Sequence, residues 1–365
     1  MRVLVFNAGS SSLKIRALDE HDRLLADHEL TASRGHFDED DVAKAIQAMP
    51  PMDAVGHRVV HGGPRYKTAV RLDDAVVEYL DSLTDLAPLH QPAALAGIEL
   101  SGRLLPQLPA VAAFDTAFHA DMPAASATYA IPAEWRERWG IKRYGFHGLS
   151  HAYCARRAAE LLGRAGRGLR IVTCHLGAGA SLAAVSNGRS VATTMGFTPL
   201  EGLVMATRSG DLDPGALLYL QRHAHLTESQ LFDALEHRSG LVALAGTADM
   251  QQVLERLAAG EEPARLAFDV YIQRLVKAMA AMAAAMGGLD AVVFTGGVGE
   301  NAAPVREAAA AALAFIGVGV DRERNAGASP DLDISSGGAL VRTLVVRARE
   351  DIEVAREVRA ALERP

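Results

Sequence analysis

Apolar and polar positions alternate along this chain in short runs of two periods. Residues 3–6 are continuously apolar, the polar turn Asn7-Ala8-Gly9-Ser10-Ser11-Ser12 follows, and Leu13 and Ile15 then alternate with polar neighbours. That pattern reads as strand, turn, strand. The same device recurs at 171–185, where an apolar run meets a turn containing Gly177 and Gly179 before Leu182 and Val185 resume a strand. Two such units far apart in one chain predict a duplicated domain. Glycines allow positive φ and bring successive N–H groups close to an anion. A lone hairpin turn of this kind is also an ordinary core feature. A third glycine run, Thr295-Gly296-Gly297-Val298-Gly299-Glu300-Asn301, follows the apolar stretch 291–294 and precedes an Ala-rich helix, so free helix N–H groups are expected there for an anion.

Between these landmarks the period switches repeatedly. Val42, Ala45, Ile46 and Met49 mark a helix over 38–49, stopped by Pro50-Pro51. Residues 19–35 read as an edge strand, 54–60 as a strand, 74–83 and 93–104 as helices, and 110–114 as a strand that delivers Asp115 at its carboxyl end. Further on come a helical insert with Pro132, Trp135 and Trp139, a helix over 151–162, and a hairpin turn at Asn187-Gly188. Thr227 with Gln230 forms a capping box for a helix ending at His237. A long helix over 265–286, a strand over 340–346 and a closing helix over 351–362 complete the chain. Strands alternating with helices define an α/β protein, in which ligands sit at the carboxyl ends of strands. The expected domains are 1–117 plus 351–365, the closing helix returning to the first sheet, and 118–350.

Composition narrows the class. With 365 residues, 49% hydrophobic and 22% charged, the chain is globular and long enough for two cores. A net charge of −7 argues against binding of nucleic acid, so phosphate chemistry must rest on local arginines and backbone amides. Cys154 and Cys174 form no CxxC pair and supply no metal cage. The uncharged run 308–320 departs from a membrane span in length and composition, and the first ten residues lack the apolar length of a signal peptide. A cytoplasmic location is expected.

Several side chains carry candidate chemistry. Arg58 lies inside the apolar run Val55-Gly56-His57-Arg58-Val59-Val60, where a guanidinium is costly unless it meets an anion. It is either half of a structural ion pair or a ligand for a carboxylate or phosphate. Arg208 lies in a Gly/Ser/Asp loop and is either solvated or a second anion ligand. Asp115 and Glu350 offer hard oxygens suited to Mg²⁺, or structural ion pairs. His90, His119, His147, His151 and His175 show no zinc spacing, and each is a core, surface or catalytic histidine on local pattern alone.

Taken together, the motifs resemble the acetate kinase family of the acetate and sugar kinase, heat-shock ATPase and actin superfamily. They are VLVFNAGSSSLK at 3–14, VGHRVVHGG at 55–63, LAPLHQP at 86–92, FDTAFH at 114–119, RYGFHGLSH at 143–151, HLGAGAS at 175–181, TPLEGLVMATRSGDLDP at 198–214 and FTGGVGEN at 294–301. The resemblance implies two duplicated actin-like ATPase domains, each a mixed five-stranded sheet flanked by helices, with a nucleotide cleft, in a homodimer. It further implies reversible Mg²⁺-dependent phosphoryl transfer between ATP and acetate, with Mn²⁺ able to substitute.

Residue by residue, the resemblance places Asn7, Ser10, Ser12 and Lys14 by the phosphates, and Asn7, Asp115 and Glu350 by the metal. Arg58 and Arg208 hold acetate and the moving phosphoryl group, His147 donates to that group, and His90 lies nearby. Val60, Leu89, Phe146 and Pro199 form the methyl pocket with Arg58. His175, Gly177, Gly179, Asp249, Gln251, Gly296, Gly297, Gly299 and Asn301 contact the nucleotide. The chain departs from the family's Asn at Ala178, Gly at Ala206 and Arg at Gln251, and is shorter between the first hairpin and Arg58. A propionate or other short-acyl kinase, and an ATP-driven switch of the same superfamily, are the alternative readings.

Overall fold

The structure, a computed structural model, describes residues 1–9, 12–31, 37–88, 90–165 and 168–364. The chain forms two compact units: Met1–Asp121 with Phe146–Tyr153 and Arg349–Pro365, and Met122–Gly145 with Cys154–Ala348. The first holds strands β1 (Val3–Ala8), β2 (Ser12–Leu18), β3 (Leu24–Thr31), β4 (Ala54–Val59), β5 (Val70–Arg71) and β6 (Ala110–Phe114) in the order β3-β2-β1-β4-β6-β5. The second holds β7 (Arg170–Leu176), β8 (Ala180–Ser186), β9 (Arg189–Thr193), β10 (Ala291–Thr295), β11 (Leu332–Asp333) and β12 (Arg342–Val345) in the order β9-β8-β7-β10-β12-β11.

The strand senses match one for one. In each sheet an antiparallel three-strand meander abuts three strands of which two continue parallel to the first of the meander and the outermost is antiparallel. The duplication expected from the two glycine hairpins is therefore present in the topology. Among the described residues each sheet has six strands rather than five. The extra members are the two-residue strands β5 and β11 at equivalent edges, too short to leave an alternating pattern.

Within the first unit, β4 is packed on both faces. Gly56 lets the helix Glu350–Glu363 lie close, since a Cβ there would meet Val358 Cγ2 at 2.6 Å and Val354 Cγ1 at 2.8 Å. His57, one residue on and so on the opposite face, meets Ser101 Oγ of the helix Gln91–Leu104 at 2.9 Å. Arg58 returns to the face of Gly56. In the second unit the helix Glu262–Ala285 buries Ala267, Tyr271, Leu275 and Met279 and packs on β7 and β8. Asn187 and Gly188 turn the β8–β9 hairpin with φ of 53° and 76°, and the Thr227–Gln230 capping box is formed. Among the described residues no helix is long and apolar enough to cross a membrane.

Candidate active site

In the first unit the parallel strands β1, β4 and β6 end beside one another and bring Asn7, Arg58 and Asp115 together. Arg58 donates from Nε to Asp115 Oδ1 at 3.1 Å and from Nη2 to Oδ2 at 2.7 Å, a bidentate fork. Its Nη1 donates to Asn7 Oδ1 at 3.3 Å and lies 3.1 Å from Glu350 Oε2. Asn7 Nδ2 also donates to Glu350 Oε2 at 3.3 Å. Burial alone would lower the Arg58 pKa; the charges of Asp115 and Glu350 more than offset this and hold it above its ordinary value. Of the two alternatives left open for Arg58, the ion pair is the arrangement seen here.

Two carboxylates against one guanidinium leave a surplus of negative charge beside an amide oxygen. Among the described residues no cluster of three or more His, Cys, Asp or Glu forms a metal cage. A Mg²⁺ ion needs only one or two carboxylates when substrate phosphates complete its shell, so the oxygens of Asp115, Glu350 and Asn7 fit that ion.

The segment carrying His147 belongs to this first unit. Gly148 N–H donates to the Asp115 carbonyl at 2.9 Å, and a Cβ at Gly148 would stand 2.1 Å from that oxygen, so only glycine permits the approach. His147 itself has φ of 55°, a left-handed conformation rare outside glycine, which the bond next to it enforces. His119 is buried, with Nε2 3.1 Å from the Phe146 carbonyl, which fixes the ring proton on Nε2. Burial pushes its pKa down to about 4, against opposing contributions from that carbonyl and from Asp115. The His151 ring lies 5.7 Å from that of His119 and 6.5 Å from that of His147. Val60 and Phe146 are buried. His90 stands at the N-cap position of the helix Gln91–Leu104, with no side-chain capping bond to it. Lys14, opposite Asn7 in register, instead pairs with Glu29 at 3.5 Å on the exposed side. Ser12 accepts at its carbonyl from Gly9 N–H. Ser10 and Leu89 lie outside the described residues.

In the second unit Arg208 is held rather than solvated. Its Nη1 donates to the Pro199 carbonyl at 2.8 Å and its Nε lies 3.2 Å from Glu236 Oε2, whose side chain is 7% exposed. Burial lowers the Arg208 pKa and raises that of Glu236, and each charge opposes the shift of the other. Sequence reasoning missed Glu236. The sequence gives no local sign of it, since Glu236 lies five residues after Leu231, the other buried residue of the helix Glu228–His237, and so off that residue's stripe.

The two glycine motifs come together at the ends of the adjacent parallel strands β7 and β10, where His175 faces Thr295. Gly177 N–H donates to Gly179 O at 3.0 Å, and Ala206 N–H to Ala178 O at 3.1 Å, which ties the Arg208 loop to this turn. Gly296 has φ of 79°, and a Cβ there would lie 2.7 Å from Leu176 O. The run expected as a loop is a six-residue helix, Gly296–Asn301. The Gly296 N–H is not free for an anion: it donates to Glu300 Oε1 at 3.1 Å, because glutamate four residues on folds back over the helix start. Asn301 Nδ2 donates to Gly297 O. Asp249 caps the helix Met250–Ala258 by accepting from Gln251 N–H, and the Gln251 amide donates to Glu255.

Duplicated α/β units, each with polar groups gathered at the carboxyl ends of parallel strands, define a protein of the actin-like ATPase type. Within that class the chain belongs to the Acetokinase family, whose profile matches residues 27–356. The acetate kinase of Gloeobacter violaceus is 46% identical over 361 residues, which cover 96% of this chain and 88% of that protein. Among solved structures, the acetate kinase of Porphyromonas gingivalis is similar with a TM-score of 0.89 at 35% identity, over 99% of this chain and 100% of that one. A propionate kinase from Francisella tularensis has a TM-score of 0.89 at 34% identity, over 98% of each chain.

Proposed function

We propose that this chain is an acetate kinase: it transfers the γ-phosphoryl group of ATP to acetate, reversibly and in one in-line displacement, with Mg²⁺ or Mn²⁺ as cofactor. The observation that carries the proposal is the cluster of Asn7, Arg58, Asp115 and Glu350 at the ends of three parallel strands in a chain of this family. Asp115, Glu350 and Asn7 hold the metal, which neutralises phosphate charge when bound. Acetate is already ionised at neutral pH, so no side chain acts as general base, and catalysis consists of positioning plus charge neutralisation. Arg58 and Arg208 hold the carboxylate and the equatorial oxygens. His147, fixed by the Gly148–Asp115 bond, donates a hydrogen bond to the moving group, with His90 nearby. The N-terminal domain supplies the Arg58 cluster and the C-terminal domain the nucleotide contacts at His175, Gly177, Gly179, Asp249, Gln251, Gly296, Gly297, Gly299 and Asn301. By their motifs, Val60, Leu89, Phe146 and Pro199 are the residues assigned to the methyl group. The working enzyme is a cytoplasmic homodimer.

The likeness to a propionate kinase keeps propionate in view, because one methylene in an apolar pocket is worth only about 1–3 kcal/mol. Hydroxylamine trapping of acyl phosphate with acetate, propionate and butyrate, beside ATP hydrolysis with no acid present, is the test. Acetyl hydroxamate as the dominant product is the expected outcome. Acid-independent hydrolysis with no hydroxamate would instead make the chain an ATP-driven switch.

A further inference from the structure

Glu300 was absent from the candidate residues, yet it makes the bond that organises the end of β10. One carboxylate oxygen, Oε1, accepts from Gly296 N–H at 3.1 Å and from Ala348 N–H at 2.8 Å. The first donor opens the glycine helix. The second lies just past β12, after Val346 N–H has bonded to the Phe294 carbonyl at 2.9 Å, and two residues before Glu350. The backbone of Glu300 is gripped as well. Arg306, 1% exposed, donates from Nη1 to Gly299 O at 2.9 Å and Glu300 O at 2.8 Å, and from Nε and Nη2 to Oδ1 and O of Asn325, both at 2.7 Å. Asn325 Nδ2 in turn donates to Ala303 O at 3.0 Å. All four acceptors of Arg306 are neutral oxygens, and two are terminal carbonyls of the glycine helix, where a cation meets the negative end of the helix dipole.

We propose that Glu300 is a positioning residue for phosphoryl transfer, its carboxylate holding the glycine helix and the chain just past β12 in one arrangement, with Arg306 fixing Glu300 from behind. A carboxylate shared by two backbone N–H groups makes two charge-assisted bonds, stronger than neutral ones. It fixes the placement of the nucleotide contacts on the glycine helix without touching the ligand. This rests on the kinase reading above. The purely structural alternative, a helix cap, would lower stability while leaving substrate constants alone.

The test compares Glu300→Ala, Glu300→Gln and Glu300→Asp in the full chain. Alanine removes the acceptor and should raise KM for MgATP and the Kd for MgADP by about 10-fold each, the usual order for a group that orients ligands, with KM for acetate within 2-fold. Glutamine keeps an oxygen at the same reach and should stay within about 3-fold of the parent on every constant, whereas aspartate, one methylene short, should show the same rises as expected for alanine and replaces it as the readout if the alanine variant does not fold. Unchanged MgATP and MgADP constants in alanine and aspartate, or a parallel rise in acetate KM, would overturn the assignment. Titration of MgADP binding separates the two failures: a parent that binds MgADP but yields no acyl hydroxamate refutes the kinase reading, and the Glu300 series is then still read by MgADP affinity.

Discussion

Arg58 holds a buried ion pair and, in the function proposed above, also the reacting groups, and its substitution should show both. From sequence alone, Arg58→Ala is expected to fold normally and lose turnover. The geometry corrects the first half. Asp115 is 1% exposed and both its oxygens are taken by the Arg58 fork, so alanine strands a buried carboxylate at a cost of about 3 kcal/mol. Turnover should fall by about 10³, and Arg58→Lys, which keeps the charge but not the fork, should regain stability more than rate. Thermal unfolding beside hydroxamate production measures the two; an alanine variant of parental stability would show that Asp115 has another partner. Arg208→Ala should lose comparable turnover with a smaller stability cost, because Glu236 already has a raised pKa and can take up a proton when its partner is gone. The Arg58 cluster was legible because a cation inside an apolar strand must meet an anion. The held state of Arg208 was not, since its partner sits on a separate helix whose sequence gives no local sign of it.

At the level of elements, apolar runs of five or six residues and the hairpin turns were read correctly, since each leaves a periodic trace. What escaped included β5 and β11, which have two residues each, the helices Pro214–Ala224, Gly240–Ala245 and Met250–Ala258, and the glycine helix, whose start is stabilised by a side chain four residues downstream rather than by local propensity. One pairing of elements has a consequence for pH. His57 joins β4 to the helix Gln91–Leu104 through Ser101, and burial pushes its pKa down to about 3; His119, beneath the His147 segment, sits at about 4. Both folded values lie below the roughly 6.5 of the unfolded chain, so between these limits the unfolded state binds more protons. Their stability contribution is therefore complete above about pH 6.5 and is lost as pH falls toward 4 and below, at about 1.4 kcal/mol per pH unit for each histidine. Urea denaturation at pH 7.5, 6 and 5 should show this decline, and His119→Gln should halve the slope. A flat profile between pH 7 and 5 would mean that these histidines are protonated in the folded state.

For the whole molecule, the matching strand order of the two sheets explains why one ancestral hairpin pattern could be read twice, while the residues that distinguish the units are scattered through their connections. Nucleotide affinity is a property that the folded chain reports as stability: a ligand at about 100 times its Kd adds about 2.7 kcal/mol to unfolding. In the function proposed above, Gln251 lies against the base and sets how much of this the base contributes. Its amide is drawn along the helix Met250–Ala258 to Glu255 at 2.9 Å, so it offers no cation to an aromatic ring, whereas a guanidinium over a base is worth about 0.5–2 kcal/mol. Gln251→Arg alone places the new cation four residues before Glu255, where the carboxylate competes for it, so the full gain should need Gln251→Arg with Glu255→Gln. At fixed MgADP the double variant should unfold about 1 kcal/mol later than the parent, with the shift for MgGDP raised less and acetate KM unchanged. Equal nucleotide shifts in parent and double variant would show that a residue other than Gln251 covers the base.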